Sequence, residues 1–158
     1  MKKYKHILTL LMVIGMLFGQ MQYVWGAEQE WYDLQEIEPE QSLLESTGDI
    51  EITPYTRYIM GASVSLRRPS SNVLWMRSEV YCTETMSSIT TTFTLQKKSG
   101  SSWVNVGKGT VSSSNDNSMY KAMEATGVSS GTYRCIADTK VVSKTGYTET
   151  VSVVSSTV

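Results

Sequence analysis

The sequence has almost no histidine: one in 158 residues, His6, inside an apolar amino-terminal segment that reads as removable. Without it there is no Ser-His-Asp or Cys-His nucleophile and no histidine-based zinc or copper site. Cysteine is limited to Cys82 and Cys135, and proline to three positions. Between Glu28 and Glu51 there is no basic residue, whereas nine acids fall there (28, 30, 33, 36, 38, 40, 45, 49 and 51). From Ile52 to Val158 six acids face eleven bases, so a leader of −9 precedes a remainder of +5. The remainder lacks clustered arginine and interleaved basic-aromatic motifs, which argues against a nucleic-acid partner. No Gly-rich phosphate loop is present, and no cofactor or metal is expected. Carboxylates alone are left for catalysis, through Glu79, Glu84, Asp138 or Glu149. A glycoside hydrolase needs two of them converging on one cleft, whereas carboxylates on strands usually face solvent, so the chain is read as not an enzyme. Asn115, Asp116 and Asn117 match no EF-hand spacing and read as a polar turn rather than a weak calcium site.

The first 27 residues carry the three parts of a secretory signal peptide. Lys2, Lys3 and Lys5 precede the uncharged run Ile7 to Gly19, and a more polar stretch follows. The run is short for a membrane span. Gly26 and Ala27 offer two cleavage points, and an uncleaved anchor is the alternative. The mature product is expected to be secreted, with no membrane attachment. The leader, residues 28–56, is acidic and poor in aromatics. Such a segment buries too little apolar area to offset its ordering entropy, so disorder is predicted.

Residues 57–158 form the domain. Seven short strands are predicted near 58–66, 73–85, 89–98, 103–111, 118–125, 132–141 and 147–154, separated by runs of Ser, Gly, Asn or Pro. That pattern predicts an all-β fold, an immunoglobulin-like antiparallel β-sandwich. Alternation turns Leu74, Met76, Val80 and Cys82 inward, and Ile89, Phe93 and Leu95 likewise. In "SSGTYRCIA", Tyr133 and Cys135 form the Tyr-x-Cys pair that opens strand F of immunoglobulin domains. Two inward cysteines in an exported chain predict a Cys82–Cys135 disulfide, worth about 4 kcal/mol by loop closure; two unpaired thiols are the alternative. The immunoglobulin tryptophan is missing after Cys82, where Phe93 or Leu95 would pack instead.

"FTLQKKSGSSWVNV" and "SGTYRCIADTKVVSKTGYTETVSV" resemble a family of small uncharacterised secreted proteins of Gram-positive bacteria. The shared features are a Leu-Gln-basic strand, a Gly-Ser turn, Trp103, a Gly-x-Tyr-Arg strand and a hairpin with Gly146 and Glu149, over roughly Ile59 to Val154. The resemblance implies a secreted β-sandwich and no particular chemistry. Those proteins often carry histidine where this chain has Asp138, so no role of that histidine transfers.

Two functions remain open. One is a non-enzymatic interaction module for an unknown extracellular protein. The other is a carbohydrate-binding accessory domain that stacks a glycan on Trp75, Tyr81 or Trp103, whose rings are candidates for outward display.

Overall fold

A computed structural model describes residues 30–39 and 57–158. The expected signal peptide, its cleavage points at Gly26 and Ala27, and most of the leader lie outside the described residues. The fold is all-β, a six-stranded sheet whose pairings are mainly antiparallel, with no helix among the described residues. The strands are β1 (Tyr32–Ile37), β2 (Ile59–Ser70), β3 (Val73–Ser99), β4 (Ser102–Thr126), β5 (Tyr133–Val142) and β6 (Thr148–Val154). They run in the order β1-β4-β3-β5-β6, with β2 branching from β3.

Two expected breaks are bends, which joins the predicted seven strands into five, and β1 makes the sixth. Residues 86–88 and 112–117 read as turns, yet they lie opposite one another within a single long hairpin. Met86 pairs with Asp116 and Ser88 with Ser114, and the register shifts between Tyr81 and Met86. Asn115 takes φ 55°, a left-handed conformation that asparagine tolerates. Asp116 steadies the bend by accepting from Ser113 Oγ at 3.2 Å and from the Ser118 N–H at 3.2 Å. Polar composition marked the bend correctly, but pairing with β3 continues on both sides of Asn115, so the strand does not end there. The far end closes at Gly100, φ 59°, between the paired Ser99 and Ser102; glycine at the first turn position suits a tight two-residue hairpin.

The bend divides β3 into two limbs. The first pairs with β2 and the second with β5, while β4 follows both. Inward side chains from both limbs join one apolar cluster that includes Leu74, Met76, Val80, Ile89, Phe93 and Leu95, each at or near zero exposure. These are the inward residues that alternation predicted. One polar residue on this inward row, Ser78, is 1% exposed, and its Oγ has no hydrogen-bond partner among the described residues.

Tyr32–Ile37 is a strand, a correction to the disorder expected from composition. Tyr32 and Asp33 run parallel to β4 beside Gly107 and Lys108; Leu34 to Ile37 then lie beside the other limb, from Ala125 back to Ala122. Charge density suggested disorder, but Tyr32 and Leu34 point the same way and both are buried to 9% exposure. Burial of these two side chains, the pairing with β4, the Tyr32 hydroxyl bonds and the ion pairs of Glu30 and Glu36 together offset the ordering cost of six residues.

Candidate binding surface

The outer face of the first limb carries a connected polar and aromatic row. On β3, Trp75, Arg77, Glu79 and Tyr81 project to the side opposite Leu74 and Met76. The Trp75 indole N–H donates to Glu124 Oε2 on β4 at 2.8 Å. Arg77, only 4% exposed, ion-pairs with Glu79 at 2.6 Å, donates to the Tyr120 hydroxyl at 2.9 Å and stacks on that ring at 5.0 Å. Tyr81 donates to Glu79 at 3.3 Å, and the adjoining carboxylate pushes its phenol upward in pKa. The row ends in a shallow groove of about 230 Å³, lined by Met60, Gly61, Ala62, Ser63, Glu79 and Tyr81. Met60 at 57% exposure and Tyr81 at 50% form its apolar rim.

The three aromatic candidates do not come together. Trp75 is half-buried and its N–H is committed to Glu124, while Tyr81 lies six positions along the same face, about 20 Å away at ~3.3 Å per residue. Trp103 sits at the far end of the hairpin opposite Lys98, its ring covered by the Arg134 guanidinium at 4.4 Å. Only Tyr81 of the three presents an open ring.

The expected Cys82–Cys135 disulfide is absent: both thiols are free and buried. The register supplies the reason. Cys82 pairs with Ile59, whose N–H donates to Glu149, and Glu149 pairs with Val141 on β5. Cys135 stands opposite Leu95, six residues further along β5, about 20 Å from that level. A bridge requires Cα atoms within about 7 Å. Parity correctly turned both cysteines inward, but parity is silent about height along a strand. Desolvation, with Glu149 and Asp116 nearby, pushes the Cys82 thiol up to about 11, and complete burial pushes Cys135 up as well. Thiols of this kind are unreactive.

Of the carboxylates singled out as catalytic candidates, Glu149 and Glu79 are committed to structural partners, and Glu84 and Asp138 are exposed. Glu149 accepts from the backbone N–H groups of Arg57, Tyr58 and Ile59 at 2.6, 2.8 and 3.1 Å, tying the start of β2 to β6. Glu79 is held by Arg77 and Tyr81. Asp138 is exposed in a polar trough with Thr92, Lys140, Thr150 and Ser152. Among the described residues no three His, Cys, Asp or Glu side chains converge as a metal site.

Sequence reasoning missed a second feature, the seat of β1. A Cβ at Gly107 would lie 2.9 Å from the Tyr32 carbonyl and 3.2 Å from Leu34 Cδ2, and one at Gly109 would lie 3.0 Å from Leu34 Cβ. The two glycines therefore form a socket for Leu34. The Tyr32 hydroxyl reaches Ser129 Oγ at 3.1 Å and the buried Tyr133 hydroxyl at 3.3 Å. Tyr133 in turn donates to the Ser129 carbonyl, four residues upstream, at 3.2 Å. Glu30 pairs with Lys97 at 2.5 Å and Glu36 with Lys121 at 2.6 Å. The available signal was period-two alternation of Tyr32 and Leu34 within an acidic run.

No protein-family model and no curated protein matches this chain.

Proposed function

We propose that the chain is a secreted, non-enzymatic interaction module, an immunoglobulin-like β-sandwich that contacts an extracellular protein through the Met60–Tyr81 groove. The observation that carries this reading is the pairing of two half-exposed apolar side chains beside a fixed Arg77–Glu79 ion pair. Such a surface offers apolar contact and directional polar groups together. Three features support the sandwich: the bent β3–β4 hairpin, the single core shared by its limbs, and the bond from Tyr133 back to the Ser129 carbonyl. That bond has the form of the tyrosine corner found at the start of strand F. Against a strict immunoglobulin topology, the two cysteine-bearing strands β3 and β5 are direct hydrogen-bonded neighbours. Secretion rests on the amino-terminal signal pattern, and the resemblance to secreted Gram-positive proteins agrees with it.

The carbohydrate reading has less support, since Trp75 and Trp103 are covered and only Tyr81 is open. One experiment separates the two. The full chain is immobilised and challenged with spent culture medium, host matrix proteins and a glycan array. The interaction reading expects protein capture that falls at least tenfold in Met60→Ser and Tyr81→Ser and persists in Trp103→Ala. Glycan binding abolished by Trp75→Ala or Trp103→Ala would replace it with the carbohydrate reading.

A further inference from the structure

Among the described strands β1 pairs along its backbone only with β4, and its side chains reach Tyr133 on β5 and the Ser129 turn, with Glu30 beside it meeting Lys97 on β3. The seat has an apolar socket, a hydroxyl cluster and two cations. Leu34 fills the space left by Gly107 and Gly109, Tyr32 meets Tyr133 and Ser129, and Glu30 and Glu36 meet Lys97 and Lys121. We infer that β1 is an exchangeable strand, and that two copies of this chain trade residues 30–37, each seating the other's Tyr32 and Leu34 on β4 to form a closed dimer.

Three observations point to a second copy as the occupant. The seat is complementary to this chain's own strand in shape and charge, so another copy's strand reproduces every contact without change. Residues 38–58, which join β1 to β2, number 21 and reach at most about 70 Å when extended, enough to enter a neighbouring molecule. The leader carries −9 and the remainder +5, so one copy's leader is drawn to another's domain as well as to its own. Exchange of an identical element keeps the strand contacts and changes only the path of the connection, which makes it a low-cost route to a dimer. The covalent connection favours a chain's own strand when dilute, and rising concentration favours exchange.

Charge reversal tests this in full-length protein. One variant carries Glu30→Lys and Glu36→Lys, the other Lys97→Glu and Lys121→Glu. Each is mismatched with its own seat, whereas both strands are matched in the mixture. The expected result, read by native mass spectrometry and light scattering, is a 1:1 heterodimer at least about tenfold more populated than any dimer of either variant alone. Monomers only, or assemblies larger than two, overturn the proposal. A second pair works through shape. Leu34→Asp leaves a seat without a usable strand, and Gly107→Val leaves a strand without a seat. With sheet content verified by circular dichroism, a 1:1 complex on mixing supports exchange, and its absence overturns it.

Discussion

The hydroxyls of Thr91 and Thr139 meet at 2.6 Å inside the core, on residues that face one another across β3 and β5. Both side chains are buried, at 0% and 2% exposure, on the row that carries Ile89, Phe93 and Leu95. Each satisfies the other, so removing one leaves an unpaired buried hydroxyl. Thr91→Val and Thr139→Val are each expected to cost about 1–3 kcal/mol, and the double variant to return to within about 1 kcal/mol of the parent. Urea denaturation of the four proteins measures this, and strictly additive losses would show that the two hydroxyls are not mutual partners.

The free thiols give a chemical prediction. Folded protein is expected to react with no equivalents of a thiol reagent at neutral pH, and guanidinium-unfolded protein with two. Burial blocks access, and the upward shift of both thiols starves the reactive thiolate. A native mass lower by two hydrogens, restored by reductant, would reinstate the disulfide.

Much of the fold can be read from alternation. The inward residues of β3 and β5 are those that period two selects, because strand side chains alternate whatever the topology. Height along a strand leaves no such trace, so Cys82 and Cys135 share an orientation without sharing a level. The bend at Asn115 resembles a turn in composition because polar, small residues serve both. The strand at Tyr32–Ile37 was hidden by charge: Glu30 and Glu36 raise the apparent disorder of a segment whose Tyr32 and Leu34 do the anchoring. Its seat depends on Gly107 and Gly109 standing beside Leu34, about 70 residues away in sequence. No local pattern carries that pairing. The groove at Met60 and Tyr81 was half legible, since Tyr81 shows an outward parity while Met60 becomes exposed only through the irregular register at the start of β2.

Ser78 offers a stabilising change. Its buried hydroxyl lacks a partner among the described residues, so Ser78→Ala removes an uncompensated polar atom and keeps the backbone conformation. A gain of about 1 kcal/mol is expected, or ~4–8 °C in melting temperature for a domain of this size. Calorimetry decides it, and a loss of stability would show that the hydroxyl is satisfied by an internal water.

The attachment of β1 combines two kinds of force with different responses to solvent. Lys97 lowers the pKa of Glu30, and Glu30 and Glu36 raise those of Lys97 and Lys121 respectively. The lowered carboxylate contributes above the ordinary glutamate value of about 4.3, and that contribution is lost as pH falls through its lower folded value. The raised lysines contribute below the ordinary lysine value of about 10.4, and that contribution is lost as pH rises through their higher folded values. Both pairs are substantially exposed, so each is worth at most about 1 kcal/mol and weakens in salt. Burial of Leu34 is worth about 2 kcal/mol and does not depend on salt. The hydrogen-exchange protection factors over Tyr32–Ile37 should therefore stay high in 1 M salt at pH 7, fall modestly below about pH 4, and collapse at every pH in Leu34→Ala. If protection at pH 7 vanished in salt alone, the ion pairs rather than the Leu34 socket would be what holds the strand.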